Sequence, residues 1–203
     1  MINVYKRFQM SFFYFLFKKL DKIKGTNLYG AYSGSVMKNI NTSWYSTAFY
    51  LGLLKKIFKY IPKESVSGVL DLGSGKGLAM VVFKKNGIKN VGGVELRRDL
   101  YEICQENLKK YNITPRLHLN EDACKVKDFS YFNTIFLFNP FPSNVMKIVV
   151  ENLVNYFQKE NKTCYVIYIN PLHNTELQKA NFKEITSFKA PISNSDVKLF
   201  RFQ

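Results

Sequence analysis

The segment Val69-Leu-Asp-Leu-Gly-Ser-Gly-Lys-Gly77 constrains the fold of this chain more than any other. A short apolar run, Gly68 to Leu70, reads as a buried strand, and it leads into Asp71 and a turn with glycine at 73, 75 and 77. In an open α/β sheet such a turn lies at the carboxyl edge of the strands, where ligands bind. The stretch after it reads as a helix. The next strand-like run, Val91–Glu95, ends in an acid placed to accept hydrogen bonds from both hydroxyls of a ribose. A strand, a glycine-rich turn, a helix and a strand-ending carboxylate together describe a nucleotide site.

Spacing discriminates among nucleotides. A dinucleotide site of the GxGxxG type needs its third glycine at position 78, which is Leu78 here. The pattern is instead DxGxGxG, and Asp71 at its head would repel a pyrophosphate. A phosphate-cradling GxxxxGK[ST] loop is also excluded, because Lys76 is followed by Gly77. A ligand that carries an ammonium group in place of phosphates fits better.

Further strand-like runs follow at Leu117–Leu119, Thr134–Phe138 and Cys164–Ile169. Between them, Leu100, Ile103, Cys104 and Leu108 recur at helical spacing, with Asp99 as N-cap. Met146, Val149, Val150, Leu153 and Phe157 do the same, with Ser143 as N-cap. This alternation predicts an α/β fold, a doubly wound, mostly parallel seven-stranded sheet with helices on both faces. The last two strand-like stretches, around Phe182–Lys189 and Val197–Phe202, have no strong helix between them and predict an antiparallel terminal pair.

Residues 1–62 read as an N-terminal helical extension or lid, and 63–203 as the ligand-binding domain. Phe8, Phe12, Leu16, Leu20 and Ile23 share one helix face, with Lys18, Lys19 and Lys22 between them. Such a face covers one side of a domain or lies on a membrane surface, and the first reading is favoured. Gly25 to Asn41 reads as a loop. Tyr50, Leu53, Leu54, Ile57 and Ile61 mark a second helix closed by Pro62. Trp44 and Tyr45 before it are either core aromatics or a lid over the site.

Composition narrows the class. With 46% hydrophobic residues in 203, the chain is long and apolar enough for one well-buried core. Cys104, Cys124 and Cys164 have no CxxC partner, which supports neither a zinc site nor a disulfide framework. They are expected to be reduced core thiols of a cytoplasmic protein. No apolar run approaches the ~18 to 20 residues that span a bilayer. The run Phe12–Phe17 is followed by Lys18 and Lys19 and by no cleavage site, so it is read as retained. Thirty Lys and Arg against fifteen Asp and Glu give a net charge of +15. Such a charge suits an acidic partner, nucleic acid or ribosome. It also suits a compositional bias, because Lys, Asn, Phe, Tyr and Ile are abundant together. Only five of the thirty basic residues are Arg, the type favoured for bidentate phosphate recognition, which tilts toward bias.

Taken in order, these motifs resemble the class I S-adenosylmethionine-dependent methyltransferases. Val69-Leu-Asp-Leu-Gly-Ser-Gly-Lys-Gly77 is similar to their first motif and Gly93-Val-Glu95 to their second. Glu121-Asp-Ala123 is similar to their adenine-reading turn, and Phe138-Asn-Pro-Phe141 to their acceptor motif. The resemblance covers residues 66 to about 203. It implies S-adenosylmethionine as cofactor and a sheet whose last strand inserts antiparallel. It further implies that Asp71, Gly73, Ser74, Gly75 and Gly77 hold the methionine part, Glu95 the ribose, and Asp122 with Ala123 the adenine. No metal is expected.

Asn139, Pro140 and Phe141 are the acceptor-side candidates. They resemble the Asn/Asp-Pro-Pro-aromatic motif of amino methyltransferases, with one proline fewer before the aromatic. There an amide oxygen and a backbone carbonyl orient an NH2 group, and the ring packs on a planar substrate. The implied activity is methyl transfer to an amine nitrogen of a macromolecule, a lysine amine included, or of a planar metabolite. The alternatives are an O-methyltransferase acting on a sugar or small metabolite, and a non-catalytic basic binding module. Methyl transfer needs alignment more than acid–base help. His118 is accordingly read as structural, His173 as a minor candidate at the rim, and Lys76 as a solvated side chain.

Overall fold

In a computed structural model, the structure describes residue 19 and residues 21–28, 46–190 and 194–203, with 46–51 described by backbone alone. Phe8, Phe12, Leu16, Leu20, Trp44 and Tyr45 lie outside the described residues, as does most of the Gly25 to Asn41 loop. Residues 21–24 are helical. Helix α1 spans Ser46–Ile57, and the strands are β1 Gly68–Leu72, β2 Asn90–Val94, β3 Leu117–Leu119, β4 Thr134–Phe138, β5 Cys164–Ile169, β6 Lys183–Lys189 and β7 Asp196–Phe202. The remaining helices are α2 Leu78–Lys85, α3 Arg98–Lys110, α4 Ser143–Lys159 and α5 Asn174–Lys179. The short α5 has no counterpart in the sequence reading.

The strands form one seven-stranded sheet in the order β3-β2-β1-β4-β5-β7-β6. Pairing is parallel from β3 across to β5. It turns antiparallel where β7 inserts between β5 and β6. The order reverses direction between β1 and β4. That switch point opens a crevice at the carboxyl edge of both strands.

Alternation along each strand splits the core in two. Val69, Val91, Phe136, Ile167 and Leu199 face a cluster with α1, α2 and α3, where Leu53, Leu54, Ile57, Phe83 and Leu108 are buried. Leu70, Leu72, Ile135, Leu137 and Val166 face the other side and pack on Met146, Val149, Val150, Leu153 and Phe157 of α4. The sheet is thus covered on both faces, which is what the near-continuous apolar runs of its central strands require. Truncation of fully buried Leu153 to alanine would cost about 2 to 5 kcal/mol. No described helix is long and apolar enough to cross a membrane.

Several local expectations are corrected. Arg97, not Asp99, stands at the N-cap of α3, with Asp99 in the first turn held by the Arg97 guanidinium at 3.0 Å. An acid there still suits the positive end of the helix dipole. Pro142, not Ser143, precedes α4. Helix α1 ends at Ile57 and continues as turns to Ile61, so Pro62 opens the 3-10 turn Lys63–Ser65 and does not close the helix. Ile23 is 70% exposed, while Asp21 and Leu28 are buried in the same segment. The Thr26 hydroxyl and the Leu28 amide both donate to Asp21 Oδ1, which ties the segment together.

Candidate ligand site at the carboxyl edge of the sheet

The glycine turn is held from below by β2. The amides of Gly73 and Ser74 both donate to the Val94 carbonyl, at 2.9 and 3.0 Å. Gly73 has φ +84, and a Cβ there would come within 2.5 Å of the Pro140 Cβ. Gly75 has φ +51, but a Cβ there meets no described residue within 4 Å. The turn is therefore packed against Pro140 at one end and open to a ligand at its middle. Gly77 caps α2 in the left-handed conformation, its back against Cys104.

Three polar residues of the turn region are buried: Asp71, Ser74 and Glu95. Glu95 sits one residue beyond β2 and is tied by both oxygens. Oε2 accepts from the Gly75 amide at 2.8 Å and Oε1 from the Arg97 amide at 2.9 Å. Asp71 pairs in register with Gly93 on one side and Phe136 on the other, at the centre of the sheet. Burial, and next the charge of Glu95, push its carboxyl up to about 8. The same burial, with the charges of Asp71 and Glu95, pushes the Cys104 thiol well up, leaving it an inert wall. The Ser74 hydroxyl is buried without a hydrogen-bond partner among the described residues.

The expected adenine turn is joined to this group through the backbone. The Glu121 amide donates to the Glu95 carbonyl at 3.1 Å, and Asn120 Nδ2 donates to it at 2.9 Å. Asp122 caps the short turn Ala123–Lys125 by accepting from the Cys124 amide, and Ala123 is buried. Between Glu95 and this turn lies Leu96, 68% exposed. Its exposure beside these two acids makes it a candidate that sequence reasoning missed. The signal was available: an apolar residue directly after the strand-ending carboxylate.

On the other side of the switch point, Asn139 follows β4 with φ +41, and its Oδ1 is buried without a partner among the described residues. Pro140 touches Gly73, so the acceptor-side candidates and the glycine turn are in contact. Phe141 is half-buried and packs against the α4 side of the core. All the expected site residues thus lie along one edge of the sheet. His118 does not join them: it sits in β3, its ring stacked on Tyr101 at 4.2 Å, and burial pulls it down to about 4. His173 precedes α5, its amide bonded to the Tyr168 hydroxyl.

Lys76 departs from its expected solvated state. Its ammonium donates to Asn27 Oδ1 at 2.9 Å, and burial lowers its pKa. Buried Asn107 completes the arrangement, accepting from the Asn27 amide at 2.8 Å and donating to the Lys76 carbonyl at 3.0 Å. The segment 21–28 is in this way fastened to the back of the glycine turn.

No protein-family model matches the sequence, and comparison with curated proteins gives no match either. Solved structures do match in fold. A protein of Pyrococcus horikoshii superimposes with a TM-score of 0.62 at 15% identity, over 84% of this chain and 97% of that one. The ribosomal protein L11 methylase of Lactobacillus delbrueckii subsp. bulgaricus gives 0.55 at 16% identity, over 77% and 78%. The Pyrococcus abyssi tRNA (uracil-54, C5)-methyltransferase, solved with S-adenosyl-L-homocysteine, gives 0.54 at 18%, over 75% and 37%.

Proposed function

We propose that this chain, which has the fold of the class I S-adenosylmethionine-dependent methyltransferases, transfers a methyl group from that donor to an amine nitrogen of a macromolecule or planar metabolite. One observation carries the reading. Pro140 rests on Gly73, so a turn open to a ligand at Gly75 adjoins an unpartnered amide oxygen at Asn139.

The residues fit the donor. The open face of Gly75, the unpartnered Ser74 hydroxyl and the raised Asp71 suit an amino-acid moiety carrying positive charge. Glu95 would hold a ribose edge, exposed Leu96 would lie against a flat base, and Asp122 with Ala123 would border it. Bound there, the donor supplies a methyl group already activated on a sulfonium. The chain then has to place an amine in line and keep water out. Asn139 Oδ1 would accept a hydrogen bond from the amine and so direct its lone pair.

Residues 1–62 are proposed to act as a lid on this site, tethered to the glycine turn by the Asn27, Lys76 and Asn107 contacts. The net charge of +15 supports an acidic partner, nucleic acid or ribosome, and related folds that by name act on a ribosomal protein and a tRNA support a macromolecular acceptor. The test is calorimetry with S-adenosylmethionine, its demethylated product and NAD. Labelled donor with fractionated lysate follows. Binding of the first two and not of NAD is expected; preference for NAD, or binding of none, overturns the reading.

A further inference from the structure

Asn139 and Asn170 occupy the same place on neighbouring strands. β4 and β5 pair through Phe138 and Ile169, and the next residue on each is an asparagine followed by proline. Both are left-handed, with φ +41 and +50. A residue before proline is pushed toward extended backbone, and positive φ is uncommon even for asparagine. Four other described asparagines have positive φ, but none precedes proline. Asn112, Asn161 and Asn181 stop helices, and Asn194 lies in the turn into β7. The two strained Asn-Pro turns are set apart from that ordinary use, side by side at the ligand edge. Strain of this kind persists where its surroundings enforce it and gathers at functional sites.

The backbone of Asn170 is fixed on both sides. Its amide donates to the Asp196 carbonyl at 2.8 Å, and its carbonyl accepts from the Leu172 amide at 2.9 Å. The residue itself is exposed. Each turn also carries an apolar residue two positions on: Phe141 in one, and in the other Leu172, which is 65% exposed. Adjacent strands lie about 4.8 Å apart, so two amides and two apolar side chains can address one small ring.

We propose that Asn170 is a second acceptor-orienting residue and that the acceptor is a planar heteroaromatic amine of the nucleobase type. This rests on the methyltransferase reading above and names its substrate class. An amide offers an acceptor oxygen and a donor NH2. Asn139 Oδ1 accepts from the exocyclic amine, and the Asn170 NH2 donates to the adjacent ring nitrogen. Phe141 and Leu172 contact the ring faces. A lysine ammonium offers donors only and leaves the Asn170 NH2 without use. In the transfer the amine nitrogen forms the new N–C bond as the S–C bond breaks. That electron pair goes to sulfur, and the methylated nitrogen gives up its proton to bulk water as the product leaves.

The test uses the full chain with methyl-labelled S-adenosylmethionine and three probes: adenosine with cytidine, an unmodified RNA transcript, and a lysine-containing peptide. Glycine keeps positive φ without strain, so Asn170→Gly removes the amide alone. Label is expected in a base of the nucleosides or the transcript. Asn170→Gly should lower kcat/KM roughly tenfold, mainly through KM, with unchanged donor affinity. Asn170→Asp, which keeps oxygens and loses the donor, should be as poor as the glycine variant, whereas Asn139→Asp should retain more activity than Asn139→Gly. Label in the peptide alone, label in no probe although donor binds, or wild-type kinetics in Asn170→Gly each overturn the proposal. Failure to bind donor instead overturns the methyltransferase reading, and this inference with it.

Discussion

Glu95 Oε2 accepts a hydrogen bond from the Gly75 amide at 2.8 Å, so the residues expected to hold two parts of one ligand hold each other. The carboxylate, one residue beyond β2, fixes the middle of the glycine turn that follows β1. A bond of this charge-assisted kind contributes about 1.5 to 3 kcal/mol. Glu95→Ala should therefore weaken donor binding by more than tenfold, with Glu95→Gln intermediate, as calorimetry would read. Retained affinity in the alanine variant would separate Glu95 from the ligand.

Asp71 makes stability and binding respond oppositely to pH. Its carboxyl is raised to about 8 from an ordinary value of 3.8. Between those pH values the unfolded chain has lost a proton that the folded chain keeps, so this group lowers stability as pH rises through the window. A cationic ligand favours the charged form, so donor affinity should rise from pH 6 to above 8 with proton release on binding. Asp71→Asn should raise the melting temperature at pH 7.5 by several degrees and abolish that proton release. Thermal scans and calorimetry in buffers of different ionisation enthalpy decide it.

Gly73 and Gly75 should fail in different ways. Gly73→Ala drives a Cβ into Pro140 at 2.5 Å and should destabilise the fold by about 2 kcal/mol or more. Gly75→Val meets no described residue, so its cost is mainly that of its positive φ, about 1 to 2 kcal/mol. It should nevertheless eliminate donor binding, because the side chain fills the ligand's place. Denaturant unfolding beside calorimetry distinguishes the two. Normal binding by Gly75→Val would show that no ligand approaches there.

Asn139 separates alignment from donor affinity. With φ +41, alanine there adds backbone strain, so Asn139→Gly is the cleaner variant. Loss of one enclosed hydrogen bond, about 1 to 3 kcal/mol, should cut turnover roughly ten- to a hundredfold. Donor affinity should stay near that of the unaltered chain. Unchanged turnover would reduce Asn139-Pro140 to a turn.

The central strands were legible because burial on both faces writes apolar runs, and Thr134–Phe138 and Cys164–Ile169 match the observed limits; Leu117–Leu119 matches too, although it is only half-buried and carries His118. Caps were less legible. Asp99 is a good N-cap type, yet Arg97 captures it one turn in, a competition that residue types alone do not express. The left-handed glycine turn at Gly73, Gly75 and Gly77 was readable because its backbone geometry is local to those residues. Lys76 and Asn170 were not, since their neighbours come from distant segments: Asn27 and Asn107 for one, β4 for the other. Ile23 followed a helical stripe and is exposed, because the buried carboxylate of Asp21 sets how that segment lies.

The two outer strands of the sheet are unlike the inner ones. Among the described residues, β3 is three residues long, and β6 carries Lys183, Glu184 and Lys189 with a register shift between Glu184 and Thr186. Short, charged or bulged margins are poor templates for another strand. A sheet with so apolar an interior therefore resists growing sideways into aggregates, and a substitution that smoothed β6 into an uncharged, regular ribbon would remove that protection without touching the ligand crevice.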